Sequence, residues 1–201
     1  MRRLDTRPVP MEMIRKIIDA GTRAASGQNT QPWHFVVITE TEGKSTLGGW
    51  YQEVFNEKFS AQLSAAHDYS ALARDLRAAQ YLAEHLHEAP VLLLVCGLRD
   101  WPFDMKGERR VGPAPPSYGS VYPCVQNILL ACRALGLGAT LTTAHRGFDS
   151  RIHTEFGISD DYGVVAMIPI GYPLGKFGPV TRKPLEQVVS LERWGNSLPV
   201  A

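Results

Sequence analysis

The residues best suited to chemistry lie in one run, Ser26-Gly27-Gln28-Asn29-Thr30-Gln31-Pro32-Trp33-His34-Phe35. It holds two hydroxyls, three carboxamides and an aromatic wall, and its only ionisable side chain is His34. Such a segment can grip a ligand, but it offers no ionised acid or base. A carboxamide carries donor and acceptor on one group, so Gln28, Asn29 and Gln31 can pair with a flat heterocycle whose edge alternates N–H and C=O. Flavin has such an edge, and chemistry carried by a bound flavin asks the protein chiefly to position the ring. The same residues also suit a plain capping loop, with Ser26 and Asn29 satisfying orphan backbone groups between a helix and a strand. The residues alone leave both readings open.

Other reactive patterns are weaker. Gly43-Lys44-Ser45-Thr46 imitates the end of a phosphate-binding Walker loop, but the glycine required five positions before Gly43 is replaced by Ile38. No G-x-G-x-x-G occurs. His34, His67, His85, His87, His145 and His153 show no metal-ligand spacing, and His85 and His87 diverge on a helix. No metal site is expected. Ser26 lacks the G-x-S-x-G context of a hydrolase nucleophile. Cys96, Cys124 and Cys132 sit in apolar surroundings without C-x-x-C spacing and read as small buried hydrophobes.

Elements must hold the run in place. Met11 to Ala25 carries Ile14, Ile17, Ile18 and Gly21 at helical spacing after Pro10. His34 to Thr39 is β-branched and reads as a strand leaving the run. Helices are expected near Gly49 to Ala66 and Tyr69 to Glu88, then a doubly buried strand from Val91 to Cys96. Arg99 to Tyr118 holds Pro102, Pro113, Pro115, Pro116, Gly107 and Gly112, and reads as an irregular lid or surface loop. Trp101, Phe103 and Met105 would line its underside, and Lys106, Arg109 and Arg110 its charged side. Ser120 to Leu135 is apolar nearly all round, so a buried helix is expected, stopped by Gly136 and Gly138, with Gln126 and Asn127 in need of partners. Strands are expected at Ala139 to Thr143 and Val164 to Ile170, a helix at Ser150 to Phe156, and a last strand or extended arm at Leu185 to Leu191.

Composition sets bounds. The 201 residues are 44% apolar and 20% charged, with a net charge of +1, so one domain over residues 1–201 is expected and nothing points to nucleic acid or an anionic membrane. The apolar runs fall far short of the roughly 20 residues that span a bilayer. No signal-peptide core is visible, and a cytoplasmic protein is expected.

The run Ala24 to Ile38 resembles the signature of the nitroreductase family of flavin enzymes. Further matches follow in order: Ala89-Pro90-Val91, Gln126-Asn127 through Gly136-Leu137-Gly138-Ala139, Ile168 to Pro173, and Arg182-Lys183-Pro184-Leu185. The resemblance implies an α+β three-layer sandwich with a mixed central sheet flanked by helices, and an interlocked homodimer with FMN at the interface. It implies that Ser26, Gln28, Asn29 and Gln31 line FMN, with Ser26 acting across the interface. Gly136 and Gly138 would let backbone approach the cofactor, and Arg182 would hold its phosphate. The family's amino-terminal arginine arm is represented by Arg2 and Arg3 alone. The activity implied is ping-pong hydride transfer from NAD(P)H through FMN to a nitroaromatic or quinone-like acceptor. No catalytic side chain is assigned. Flavin-fragmenting, dehalogenating and deazaflavin-using relatives are alternatives, as is a non-catalytic flavin-binding dimer.

Overall fold

A computed structural model of the chain describes residues 1–67, 70–99, 104–107, 109–111 and 118–197. The chain opens with α1 (Met11–Thr22), then β1 (Trp33–Ile38), and returns through a helical hairpin of α2 (Thr41–Ala65) and α3 (Ala71–His85). Next come β2 (Val91–Leu98), a small hairpin of β3 (Asp104–Lys106) and β4 (Arg109–Val111), and α4 (Tyr118–Ala134). β5 (Gly138–Ala139), α5 (Asp149–Phe156) and β6 (Tyr162–Gly171) complete the ordered elements.

β2 is apolar throughout because both of its faces are covered. Leu92, Leu94 and Cys96 pack with Leu47, Tyr51, Phe55, Leu86 and Phe148 on the α2/α3 side. Val91, Leu93 and Val95 pack with Ile14, Ile17, Val121, Cys124 and Ile128 on the α1/α4 side. Two helical layers thus sandwich one sheet, as the α+β reading requires. A register shift at Val95/Cys96 breaks the alternation in β6, so that Val165 and Ala166 both face the α1/α4 side. The three cysteines are buried and free. Burial pushes the Cys124 thiol up to about 11 and that of Cys132 to about 12.

Three expectations are corrected. The four-stranded sheet, ordered β1-β2-β6-β5, is antiparallel at every pairing, where a mixed sheet was expected. Its first two strands are joined by two helices, and an even number of crossings returns the chain to the end it left. α2 starts at Thr41, eight residues before the expected Gly49, because its glycines serve packing. A Cβ on Gly48 would lie 3.0 Å from the His87 side chain, and one on Gly43 3.2 Å from Phe156. The Walker-like lysine lies in this helix, and its Nζ donates to the Ala89 carbonyl at 3.1 Å.

The third correction concerns the 99–118 segment, which is not wholly irregular. Residues 104–111 contain no proline, and Gly107 at φ +63° turns the β3–β4 hairpin. Trp101 and Phe103, read as a lid's underside, lie outside the described residues, as do the side chains of Met105, Arg109 and Arg110. The expected strand at Ala139 to Thr143 shrinks to Gly138–Ala139 plus an isolated bridge from Thr142 to Met167. Beyond Gly171 the described chain is an arm without strands, carrying only a short 3-10 turn at Leu185–Gln187.

Candidate functional site

Ser26 leaves α1 in an extended conformation, and residues 27–29 make one 3-10 turn. Gln28, Asn29 and Gln31 all adopt positive φ, at 52°, 54° and 48°. Asparagine tolerates this region, but glutamine does so only at a cost of roughly 1–2 kcal/mol. The loop is pinned from both sides. The Ser26 hydroxyl accepts from the Gln31 N–H at 3.1 Å, and the Ser120 hydroxyl, in the first turn of α4, accepts from the Gly27 N–H at 3.2 Å. The Gln31 side-chain amide donates to Asn29 Oδ1 at 3.2 Å.

The Ser26 hydroxyl thus satisfies one backbone N–H of the loop, at Gln31, without capping the 3-10 turn itself. Capping does not account for the remainder, since Gln28, Asn29, Thr30 and Gln31 are exposed and three of them hold strained backbone. Backbone strain of this kind concentrates where a ligand is gripped. The exposed carboxamides offer donors and acceptors to a flat polar edge, so the residues present fit a flavin.

The other expected cofactor residues lie elsewhere. The loop stands at the start of β1, where Trp33 pairs with Gly97 near the end of β2. Gly136 and Gly138 lie at the opposite end of the sheet, where Gly138 pairs with Gly171 and Ile170 with Val91. Sixteen residues of α4 and its cap separate Ser120 from Gly136, roughly 24 Å at 1.5 Å per residue. Arg2 and Arg3 join the glycine end. The Met1 amine donates to the Ala139 carbonyl at 2.9 Å, and Leu4 bridges to Pro173. That amine is held below its ordinary value, first by burial and then by Arg2.

The Arg3 guanidinium stacks 4.2 Å over the Tyr81 ring, while Arg2 is exposed. Arg182 rides on the exposed arm, donating to the Thr181 carbonyl at 2.8 Å. Both glycines also have tasks inside the chain. Gly136, at φ +76°, ends α4 while the Leu137 N–H donates to the Cys132 carbonyl at 2.8 Å. A Cβ on Gly138 would meet Leu4 Cδ2 at 2.8 Å and Met1 Cγ at 3.0 Å.

The expected residues thus fall into two separate groups: a neutral strained loop at one end of α4, and Gly136, Gly138, Arg2 and Arg3 at the other. A ring resting on the loop leaves the glycines of the same chain out of reach.

Sequence reasoning missed Ser120 as a support of the loop. Its signal was faint: a hydroxyl at the start of a predicted helix, whose partner lies 93 residues away. It also missed a buried ionic cluster where β2 ends. Asp149 faces Arg99 at 3.7 Å and His153 at 3.9 Å. Arg99 Nη2 donates to His153 Nε2 at 3.2 Å, and His153 Nδ1 then donates to the Ile158 carbonyl at 3.1 Å, which describes a neutral imidazole. His145 is buried, with Nε2 donating to the Val164 carbonyl at 2.8 Å. Among the described residues no group of three or more His, Cys, Asp or Glu side chains is arranged to hold a metal ion, and no helix is long and apolar enough to cross a membrane.

Known proteins are similar to this chain in sequence and fold. The chain is 29% identical over 200 residues to a putative NADH dehydrogenase/NAD(P)H nitroreductase of Methanothermobacter thermautotrophicus, covering 96% of this chain and 82% of that protein. It is 28% identical to iodotyrosine deiodinase 1 of Rattus norvegicus over 94% of its own length, and spans 65% of that relative. Among solved structures, an iodotyrosine deiodinase bound to FMN and 3-iodo-L-tyrosine superposes with a TM-score of 0.68 at 22% identity, over 97% of this chain and 93% of that one. An FMN and NADPH-dependent nitroreductase from sphigopyxis sp. strain HMH gives 0.69 at 19% identity, over 96% and 94%. At these identities the superpositions establish the fold. The sequence model of the nitroreductase family matches residues 1–172, and the chain belongs to that family.

Proposed function

We propose that the protein is a cytoplasmic, FMN-dependent oxidoreductase that passes hydride from NAD(P)H to an electron-poor acceptor, nitroaromatic or quinone-like, by a ping-pong mechanism. The observation that carries this reading is the strained, uncharged loop at residues 26–31, pinned by two serine hydroxyls and exposing three carboxamides. When bound, FMN would supply the hydride-accepting and hydride-donating chemistry. The protein's part is then to bind and orient. Gln28, Asn29 and Gln31 would pair with the polar edge of the ring, and Ser26 and Ser120 keep their backbone in its costly conformation.

Arg182 and Arg2 would hold the phosphate as charge-assisted contacts. Arg3 is committed to Tyr81, which leaves Arg2 the better placed of the two. Gly136 and Gly138 would offer backbone at close range. Because these groups sit at the far end of α4, the loop of one copy must serve the cofactor held by the other. A homodimer with two shared sites follows, and the exposed arm beyond Gly171 would cover the partner subunit.

The test is direct. Purified protein should be yellow, with the visible spectrum of oxidised flavin, and NADH or NADPH should bleach it under argon. Adding a nitroaromatic should restore the colour and sustain NAD(P)H oxidation. A colourless protein that FMN cannot reconstitute overturns the proposal.

The iodotyrosine deiodinase relative, matched over 94% of this chain, favours a second reading of the same site as a reductive dehalogenase. Two electrons and a proton would convert an aryl iodide to the arene and iodide. Iodide release from 3-iodotyrosine under reducing conditions would select this reading, and nitroaromatic turnover without it would select the first.

A further inference from the structure

Residues 2–5 reach the glycine end of α4 as a strap laid along the chain just beyond β6. The Asp5 N–H donates to the Tyr172 carbonyl at 2.8 Å, and the Leu174 N–H donates to the Arg3 carbonyl at 3.1 Å. Between them the buried Leu4 fills the space that a Cβ on Gly138 or Gly171 would need. The backbone is thus fixed, but Arg2 and Arg3 are exposed, and an exposed arginine samples many rotamers unless something holds it.

Tyr81, half-buried on α3, holds Arg3. The Arg3 guanidinium carbon stands 4.2 Å from the centre of the Tyr81 ring, and the His85 ring, one helical turn further on, stacks 4.1 Å from the same centre at 25°. One face cannot take both groups at that range, so the phenol is clasped between them. Behind it, His85 Nδ1 lies 3.0 Å from a Glu88 carboxylate oxygen. The result is a column of guanidinium, phenol, imidazole and carboxylate.

The choice of partner matters for charge. A carboxylate could fix the Arg3 guanidinium equally well, but it would cancel the positive charge; a ring face attracts the cation through its quadrupole and leaves the whole charge in place. Among the described residues no carboxylate pairs with Arg3. The neighbouring Arg2 keeps its charge at the same end. Burial pushes the Tyr51 phenol up, and both its 3.0 Å bond to Thr142 and the charge of Arg2 pull it back, which sets that charge near the stretch that follows Gly138.

We propose that Tyr81 is a positioning residue for the phosphate of FMN: by clasping Arg3 without neutralising it, the ring steadies the strap that presents Arg2 and keeps a second positive charge beside the same anion. This rests on the reading of Arg2 and Arg182 as phosphate ligands. Tyr81 then acts through Arg3 and on the phosphate alone, because the flavin ring is gripped by the loop at residues 26–31. Riboflavin, which lacks the phosphate, should be indifferent to it.

That difference supplies the experiment. The flavin-free full chain is titrated with FMN and with riboflavin, each read by quenching of flavin fluorescence. Tyr81→Leu keeps an apolar side chain but removes the ring face, and should weaken FMN about three- to tenfold while leaving riboflavin unchanged. Tyr81→Phe keeps the face and should bind FMN as the parent does. Tyr81→Glu holds Arg3 by an ion pair that cancels its charge, and should weaken FMN at least as much as Tyr81→Leu, again sparing riboflavin. The inference is overturned if Tyr81→Leu leaves FMN binding unchanged or weakens both flavins alike, if Tyr81→Phe fails to restore it, or if Tyr81→Glu binds FMN as the parent does. A parent that binds both flavins equally removes the phosphate ligands and the inference with them. A parent that binds neither overturns the flavin reading instead.

Discussion

β2 and the arm that follows β6 both carry large apolar residues, yet these stand in opposite relations to water. From Val91 to Cys96 every side chain is fully buried, whereas Leu174, Val180, Leu185, Val188 and Leu191 are between 43% and 69% exposed and Trp194 wholly so. Burying a leucine or tryptophan is worth roughly 1.5–3 kcal/mol or more, and β2 collects that gain within the chain. The exposed side chains of the arm collect little of it within the chain. Exposed apolar side chains of this kind are what the proposed dimer would cover.

The comparison can be broken first at the strand. Leu94→Ala removes a side chain held between the sheet and the α2/α3 layer and should cost roughly 3–5 kcal/mol in denaturant unfolding. A loss under 1 kcal/mol would show that β2 is not the centre of the core. It can be broken next at the arm. Counted within one chain, Trp194→Ala removes no contact and should change stability by under about 0.5 kcal/mol. If the arm docks on a second copy, the substitution should instead cost roughly 2–4 kcal/mol of dimer stability, seen as a concentration-dependent fall in Tm. A melting temperature unchanged at every concentration would leave the arm without a partner.

How much of this was legible in the sequence depended on whether a residue's signal was local. Val91 to Cys96 announced itself because a strand covered on both faces has no polar position, and the helix ending at Gly136 because its nearly all-round apolar run and its glycine stop both lie in the local sequence. α2 was read eight residues short because Gly43, Gly48 and Gly49 look like breakers. The role of Gly43 and Gly48, close approach to Phe156 and His87, is set by residues far along the chain. The β3–β4 hairpin was missed because prolines on either side of 104–111 were counted against the proline-free centre.

At the site the residue types were readable and the conformation was not. Asn29 has a known tolerance for positive φ, but nothing in Gln28 or Gln31 announces it. The contact from Gly27 to Ser120 exists only in the fold. The splitting of the expected cofactor residues between two ends of α4 is likewise a property of the antiparallel sheet.

The smallest expected effect is the most diagnostic, because its sign reverses between fold and function. Gln28 sits at φ 52°, ψ 20°, where a side chain costs free energy and glycine does not. It is exposed, and no core contact is lost when it is trimmed. Gln28→Gly should therefore stabilise the apo fold, or at worst leave it unchanged: relief of roughly 1 kcal/mol of strain is partly offset by the greater freedom of glycine in the unfolded chain. The same change removes a carboxamide from the flavin edge and loosens the loop that presents its neighbours, so flavin binding should weaken by roughly three- to tenfold, about one hydrogen bond's worth. Tm of the apoprotein and flavin titration by fluorescence quenching read the two effects separately. A variant less stable by more than 1 kcal/mol would mean the strained conformation is supported by the fold itself, and one that binds flavin as tightly as before would remove Gln28 from the site.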